Sequence, residues 1–367
     1  MDLSLFNYYL PPELIAQEPK EPRDLSRLLV LKRETGEIIH KKFYEILDFL
    51  TDQDVLVFNN SEVVKARLIG RKASTGGRVE ILLIRPLHKP IFDFISWPNK
   101  WFVIGKPNLK RGQKIEFEDN LKGKIEVGEE ETPLRQGYGG PRKIIVFNKK
   151  GKDLKQEILK LGQVPFPPYI KHPTISSFRN YQTVYAKHKG SIAAPTAGFH
   201  FTKKILEQLK EKGVGIEYLT LHVGPGTFLP VKVKEVEKHQ MYPEYFYLSP
   251  QVAKRLNKAK KEKKRIIAVG TTVTRVLESC AGKNGLLTSK NGLTSLFIYP
   301  GFKFKFVDAL ITNFHLPCST LLMLVSAFAR RCTAPGFADR ELIFKAYQKA
   351  IKEKYRFYSF GDAMFIK

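Results

Sequence analysis

The chain has 367 residues, of which 43% are hydrophobic, and its 62 Lys and Arg against 36 Asp and Glu give a formal net charge of +26. This length predicts two domains with ordinary globular cores, and so large an excess of positive charge favours a polyanionic partner, nucleic acid before membrane. No apolar run approaches the ~20 residues of a membrane span, the first residues do not resemble a secretion signal, and three cysteines are too few for a disulfide framework, so we expect a cytoplasmic protein.

The first buried strand is predicted over residues 54–60, where DVLVFNN ends in two asparagines. Residues 28–43 before it predict a hairpin, with a turn at 34–37. Open α/β sheets place ligand-binding groups where strands end. Asn59 is therefore a candidate substrate-binding residue.

Residues 63–147 have a different texture, with six short strand-like runs separated by Gly, Pro and Asn and almost no helical periodicity. Six strands at this spacing predict a small β-barrel inserted into an α/β domain. The predicted fold class is thus a mixed α/β main domain, residues 1–62 and 148–367, which carries the active site, with an inserted all-β barrel domain at 63–147. The glycine-rich stretches at 76–78 and 137–140 are interpreted as hairpin turns.

A ligand loop is predicted at residues 191–202, SIAAPTAGFHFT, which lead into a helix. Its small residues, Gly198 among them, allow a bound molecule to approach the backbone, and Thr196 adds a hydroxyl. Thr202 is placed to cap the helix, and His200 lies two residues before it with a titratable ring. A tight strand-to-helix turn with a packed histidine explains the same residues equally well.

Proline-rich residues 163–173 hold Phe166 and Tyr169 on a stiff, extended backbone. A rigid linker that covers a core is the favoured interpretation, and an aromatic platform for a base is the alternative. Further on, a strand over 216–221 runs directly into His222 and Gly224, which would lie beside the His200 loop if the two strands are neighbours. No helix opens after the second glycine there, which excludes a dinucleotide-binding fingerprint.

A helix predicted over residues 251–265 carries eight Lys and Arg against the single acid Glu262. A solvated helix face normally mixes charges of both signs, so this one indicates a phosphate-contacting surface. Lys258, Lys261 and Lys264 recur every three residues, near one face of that helix.

Two later strand ends also carry polar groups. Thr271 opens a helix whose N-terminus suits an anion such as a carboxylate, with Arg275 one turn in. Another strand ends at Asn313, followed by His315 and by a buried helix that Ser319 caps. We expect these strand ends to converge in one crevice.

Five segments, in this order, closely resemble the S-adenosylmethionine:tRNA ribosyltransferase-isomerase family of queuosine biosynthesis: AAPTAGFHFT, LHVGPGTFLPV, VGTTVTRVLES, VDALITNFHLPCSTLLMLVSAFA and YSFGDAM. The resemblance covers essentially the whole chain. It implies a transferase that moves the ribosyl part of S-adenosylmethionine onto 7-aminomethyl-7-deazaguanine (preQ1) at the wobble position of tRNA, giving epoxyqueuosine and releasing adenine and methionine. The implied partners are preQ1-containing tRNA and S-adenosylmethionine, with no further cofactor, no membrane and no obligate protein partner, so that a monomer is compatible.

Such a reaction begins with loss of a proton next to the sulfonium, which requires a base within hydrogen-bond reach. His200 and His222 are the catalytic candidates, because an imidazole pKa near ~6.5 suits proton transfer at neutral pH. The substrate-binding candidates are Asn59, Thr196, Gly198, Gly224, Thr271, Arg275, Asn313 and His315, and the tRNA-binding candidates are Lys258, Lys261 and Lys264. A metal site built from histidines and Cys318 is not expected, since no tight ligand pair is present.

The sequence departs from the family pattern at three places. Asn60-Ser61 replaces a more usual Asp-Thr, Cys318 replaces a lysine, and Tyr242 stands where a second histidine is expected. These departures weaken the case for substrate contacts at Asn60 and Cys318 and make His239 a weaker catalytic candidate. The alternative of another class is a tRNA-binding module without catalysis, which would leave S-adenosylmethionine intact.

Overall fold

The computed structural model describes residues 1–87, 97–128, 143–228, 231–329 and 338–367. The predicted turn at 137–140 lies outside them. The strands are β1 (Arg27–Leu31), β2 (Ile38–Lys42), β3 (Asp54–Asn59), β4 (Ser61–Val63), β5 (Arg67–Lys72), β6 (Arg78–Pro86), β7 (Lys100–Lys106), β8 (Lys114–Glu116), β9 (Lys122–Val127), β10 (Lys143–Phe147), β11 (His188–Ser191), β12 (Gly215–Leu221), β13 (Glu244–Leu248), β14 (Arg265–Val269), β15 (Lys290–Thr294), β16 (Ala309–Asn313) and β17 (Ala363–Ile366).

The α-helices are α1 (Gly151–Leu161), α2 (Ile175–Asn180), α3 (Lys203–Glu211), α4 (Pro250–Lys261), α5 (Thr271–Cys280), α6 (Thr320–Phe328) and α7 (Ala338–Lys352). Short 3-10 helices include Phe43–Phe49 and, within the predicted ligand loop, Thr196–His200. No helix in the described parts of the chain combines the length and the apolar character that crossing a membrane would need.

The main sheet has nine strands in the order β15-β13-β12-β3-β14-β16-β17-β1-β2. Its centre is parallel, because β12, β3, β14 and β16 all run in one direction. β17 lies between β16 and β1, antiparallel to the first and parallel to the second. The hairpin predicted over 28–43 is the antiparallel pair of β1 and β2 at the sheet edge, and its second strand ends at Lys42.

Helices cover both faces of this sheet, which explains why its central strands are apolar on both sides. Along β3, Val55 and Val57 pack into one core with residues of α4 to α7, whereas Leu56 and Phe58 pack into a second core with α3. Successive side chains of a strand point to opposite faces. The run DVLVFN is therefore buried at every position.

The second body is a closed barrel of antiparallel strands in the order β10-β7-β6-β5-β8-β9. The predicted fold class, a mixed α/β structure with an all-β barrel, is confirmed. Gly123 faces the barrel interior so closely that a Cβ there would lie 2.4 Å from the Ile145 side chain. The predicted turn at 76–78 joins β5 to β6, with Gly76 at a φ of 66°. The proposed domain boundaries at 62/63 and 147/148 stay a prediction.

Candidate active site

The strand ends singled out in the sequence lie along one edge of the main sheet. β3 ends at Asn59, β12 leads to His222, β14 leads to Gly270, and β16 ends at Asn313. Parallel strands present their carboxyl ends at the same edge. A cleft opens at this edge, and its walls include the predicted binding residues Thr196, Thr271, Arg275, Asn313 and His315.

The loop at residues 191–202 reaches the cleft through Thr196, while His200 lies behind it. The Thr196 hydroxyl donates to Asn313 Oδ1 at 3.1 Å, and Asn313 Nδ2 is 3.2 Å from His200 Nε2. His200 Nδ1 is 2.7 Å from Ser26 Oγ, so both ring nitrogens have protein partners. Burial, with smaller effects of the Arg356 and Arg23 charges, lowers the pKa of His200 to about 3. The ring is therefore neutral at neutral pH and orients Asn313.

The second catalytic candidate, His222, is not part of the cleft wall. Its ring stacks on Tyr245 at 6.1 Å, and its Nδ1 atom is buried without a hydrogen-bond partner among the described residues. Burial, with a smaller effect of His188, lowers the pKa of His222 to about 4. This position gives no geometric support to a catalytic role for His222, which stays a prediction.

His315 is the described histidine that lines the cleft. Its Nε2 is 2.9 Å from Thr312 Oγ1, its backbone N–H donates to the Tyr347 hydroxyl at 2.9 Å, and its carbonyl accepts from Tyr8. Nδ1 has no hydrogen-bond partner within the described ranges. Burial lowers the pKa of His315 to about 3, which keeps this ring neutral as well.

Both predicted glycine contacts have structural explanations. A Cβ at Gly198 would lie 1.8 Å from the Tyr185 hydroxyl, so the packing of Tyr185 alone requires a glycine there. The Gly224 N–H donates to Glu244 Oε1 at 2.8 Å, and a Cβ at Gly224 would lie 3.2 Å from the ring of Tyr242. Neither glycine lines the cleft.

Arg275 forms a buried ion pair with Glu244, and both side chains line the cleft. The guanidinium also donates to the carbonyls of Leu296 at 2.9 Å and Thr294 at 3.3 Å. Its charge is thus already neutralised, which leaves it less suited to holding a substrate carboxylate alone. Asn59 is fully buried and hydrogen-bonds the backbone N–H and C=O of Leu221, so its amide joins β3 to β12.

Two helix N-termini point at the cleft. α5 follows Gly270, whose φ of 99° lies in the left-handed region that favours glycine, and Thr271 and Thr272 of its first turn are in the wall. α6 begins after Ser319, whose hydroxyl accepts from the Leu322 N–H at 3.1 Å. First-turn N–H groups lack partners within their own helix and attract anions.

The described residues contain no group of three His, Cys, Asp or Glu side chains arranged to hold a metal ion. Comparison with known proteins decides the relationship. The family model described as "Queuosine biosynthesis protein" matches residues 3–366 of this chain. The chain belongs to the queuosine biosynthesis protein family.

Two relatives illustrate this membership. The S-adenosylmethionine:tRNA ribosyltransferase-isomerase of Desulfitobacterium hafniense is 48% identical over 367 residues, which cover 100% of both chains. The crystal structure of the S-adenosylmethionine tRNA ribosyltransferase from Thermotoga maritima is 36% identical, covers 99% of this chain and 100% of that one, and superposes with a TM-score of 0.52.

Several residues of this queuosine biosynthesis protein line the cleft without having been singled out from the sequence as binding residues. They include Tyr181, Tyr242, Glu244, Thr272, Tyr358 and Ser359. Tyr169 also lines it, which the less favoured interpretation of the proline-rich segment allowed. Tyr242 stands where the family pattern has a histidine, and this departure could have marked it as a candidate cleft residue. Cys318 instead contacts the amino-terminal segment, since its N–H donates to the Phe6 carbonyl at 2.9 Å.

The predicted tRNA-binding lysines of this family member lie at the other edge of the sheet. α4 ends at Lys261, four residues before β14 begins at its amino end. Lys258 is highly exposed, with Glu262 at 3.7 Å, whereas Lys264 is outside the helix and donates to the Asp52 carbonyl at 2.9 Å. The expected helix over 251–265 thus ends four residues too late, and Lys264 does not share its face.

Proposed function

We propose that this chain is an S-adenosylmethionine:tRNA ribosyltransferase-isomerase that transfers and isomerises the ribosyl part of S-adenosylmethionine onto preQ1 at the wobble position of tRNA. The products are epoxyqueuosine-tRNA, adenine and methionine. The observation that carries the proposal is the 48% identity to the Desulfitobacterium hafniense enzyme over the full length of both chains. S-adenosylmethionine is a co-substrate here, and no other cofactor is proposed.

The cleft offers complementary groups for S-adenosylmethionine. The carboxylate of its methionine part fits the N-terminus of α5, where Thr271 and Thr272 present backbone N–H groups and hydroxyls. The buried carboxylate of Glu244 is on the same wall, but it is paired with Arg275, so the pair as a whole carries no net charge toward the sulfonium. Asn313 and Thr196 are hydrogen-bonded to each other and can fix the ribosyl hydroxyls.

For proton removal next to the sulfonium, His315 has the supporting geometry. It lines the cleft, its ring is neutral, and Nδ1 is available among the described contacts. A neutral imidazole can accept a proton, but a pKa of about 3 makes this ring a weak base, so the assignment of His315 rests on its position in the cleft and not on its basicity. His200, a candidate from the sequence, then acts through Asn313, and a direct role for His222 would require a rearrangement of the cleft.

The surface that meets tRNA is proposed to include the carboxyl edge of the sheet, because the wobble base must reach the cleft there. Lys203 and Lys204 are exposed in the first turn of α3, which follows the loop carrying Thr196. Lys258, Lys261 and Lys264 remain candidates for more distant phosphate contacts. We also propose that the protein acts on tRNA as a monomer in the cytoplasm.

The test is incubation of the purified chain with S-adenosylmethionine and preQ1-containing tRNA. We expect stoichiometric adenine, methionine and epoxyqueuosine-tRNA. His315→Ala should lower turnover by ~10²–10⁴-fold, the range for loss of a positioned general base. When S-adenosylmethionine is deuterated at the ribosyl carbon bonded to sulfur, this variant should also release no deuterium into water. His200→Ala should also lower turnover, with partial rescue by His200→Gln, which can still bond Asn313.

Matched controls separate binding from chemistry. tRNA that carries guanine in place of preQ1 should give no product, and both histidine variants should bind tRNA within about twofold of the parent, since neither ring is on the surface. A parent that binds tRNA yet leaves S-adenosylmethionine intact would instead be a non-catalytic binding module. Normal isotope release in His315→Ala would reject His315 as the base.

A further inference from the structure

One polar atom in the cleft wall has no role in the contacts described so far. The hydroxyl of Tyr181 is buried, and no described residue serves as its hydrogen-bond partner. Only 1% of the residue is exposed, and it lines the cleft. Buried hydroxyls are rarely left unpaired, because an unmet hydrogen bond lowers stability.

The ring of Tyr181 is held in place by other aromatic rings. Phe166, Phe199 and Phe360 surround the ring, with centroid distances of 4.9, 5.7 and 5.8 Å. Ala194 and Ser359, both in the cleft wall, lie beside the phenol without reaching hydrogen-bond geometry. The packed ring keeps the hydroxyl beside two residues of the cleft wall, so a molecule that fills the cleft next to Ala194 and Ser359 is the candidate for the missing partner.

The neighbouring wall is aromatic. Tyr169 and Tyr358 both line the cleft, with ring centroids 4.8 Å apart, and the Tyr169 hydroxyl is already bonded to Ser359 Oγ at 2.7 Å. Aromatic side chains beside a fixed hydroxyl suit a planar heterocycle with acceptor atoms at its edge.

We propose that Tyr181, with the faces of Tyr169 and Tyr358, forms a subsite for a purine-type ring, and that the Tyr181 hydroxyl donates to a ring nitrogen of the adenine of S-adenosylmethionine. This inference rests on the proposed function. Burial raises the pKa of Tyr181, so the phenol stays protonated and acts as a donor. When the bond between the ribosyl carbon and adenine breaks, the electron pair goes to adenine, and a donor to its ring nitrogen stabilises that charge.

The test is a binding cycle that needs no turnover. Adenine and its 1-deaza, 3-deaza and 7-deaza analogues are titrated into the parent and into Tyr181→Phe by calorimetry. We expect the parent to bind adenine about tenfold more tightly than one of the three analogues, and Tyr181→Phe to lose that preference. The variant should keep or raise its melting temperature, because an unpaired hydroxyl has been removed.

Tyr355→Phe is the matched control. The Tyr355 hydroxyl is buried and bonded to His40 Nδ1 at 2.8 Å and to the Leu28 carbonyl at 3.4 Å. Its removal should lower the melting temperature and leave adenine affinity unchanged, so the two tyrosine variants should differ in both measurements.

Three results overturn the inference. The first is an equal preference in the parent and Tyr181→Phe, and the second is a clear loss of stability in Tyr181→Phe. The third is an affinity for the free preQ1 base that falls in Tyr181→Phe while adenine affinity does not, which would assign the subsite to the tRNA base. A parent that fails to release adenine from S-adenosylmethionine counts against the proposed function alone, since the binding cycle judges the subsite independently.

Discussion

His200 shows how a buried side chain can serve a cleft that it does not line. A chain of hydrogen bonds connects Ser26 to His200, His200 to Asn313 and Asn313 to Thr196. Of these four residues, only Asn313 and Thr196 line the cleft. Asn313 Nδ2 is a donor, so His200 Nε2 accepts and Nδ1–H donates to Ser26. A proton on Nε2 would break this arrangement, which is why the neutral ring is part of the architecture.

The first prediction concerns pH and stability. Burial lowers the folded-state pKa of His200 and His315 to about 3, below the unfolded value of ~6.5, so the folded state binds fewer protons between these values. Stability from each ring is complete above pH ~6.5 and declines as the pH falls toward 3, by at most ~1.4 kcal/mol per pH unit. His200→Gln should reduce the slope of unfolding free energy against pH by an amount that corresponds to about one proton.

Denaturant unfolding at several pH values between 7.5 and 4.5 measures the slope. The same change at the exposed His172 is the control and should leave the slope of the parent unaltered. Parallel curves for parent and His200→Gln would show that His200 titrates alike in both states.

The sequence predicted which residues meet in one cleft better than it predicted what each of them contacts. Thr196, Thr271, Arg275, Asn313 and His315 line one cleft, as strand ends and helix starts suggested. The partners that decide each role were not visible, since Ser26 and His200 are 174 residues apart in sequence. Likewise Gly198 is a close-packing glycine because of Tyr185, which no local pattern reveals.

At the scale of elements, the exposed lysines of α3 and those of α4 lie at opposite edges of the main sheet. α3 starts at the carboxyl edge and leads down to β12, whereas the carboxyl end of α4 leads into β14 from the amino edge. The end of α4 was not predictable, because KKEKKR has no Gly or Pro. Glu262 caps the helix and Lys263 takes a φ of 59°, an uncommon conformation for a non-glycine residue.

The second prediction compares the two lysine sets. Lys203→Ala with Lys204→Ala should weaken tRNA binding at low salt and reduce the salt slope by up to ~0.7–0.9 for each phosphate that is no longer neutralised. The triple change at Lys258, Lys261 and Lys264 should have the smaller effect, because these lysines are at the far edge. Fluorescence titration across a salt series measures both, with S-adenosylmethionine affinity as the control. A larger slope change in the triple variant would place the main docking surface on α4.

At the scale of the whole molecule, the barrel and α1 share a core. Leu154 and Ile158 of α1 are fully or nearly fully buried in the same hydrophobic cluster as the barrel interior. Gln163 and Arg67 exchange backbone hydrogen bonds of 2.8 and 3.1 Å just beyond the helix. Short-strand periodicity located the barrel from sequence, but this pattern ends at β10 and could not show that a helix contributes to the same core. We therefore propose that the inserted unit extends to about residue 162.

The third prediction follows from that boundary. A fragment of residues 63–162 should unfold cooperatively, and one of residues 63–147 should be much less stable. Removing Leu154 and Ile158 forgoes ~3–6 kcal/mol of burial, comparable to the whole stability of a small domain. Circular dichroism melts of both fragments measure this, and Leu154→Ala in the longer fragment should give an intermediate result. Equal melting midpoints for the two fragments would contradict this proposal and favour a domain boundary at residue 147.

The position of β17 limits when the amino-terminal hairpin can join the main sheet during synthesis of the chain. β1 and β2 precede the other strands of the main sheet in the chain, yet β1 pairs with the rest of the sheet only through β17, at residues 363–366. Domains usually fold from the amino terminus as the chain emerges. Here the hairpin can pack against the Phe43–Phe49 helix that follows it, but it has no strand of the main sheet to join until residues 363–366 have been translated.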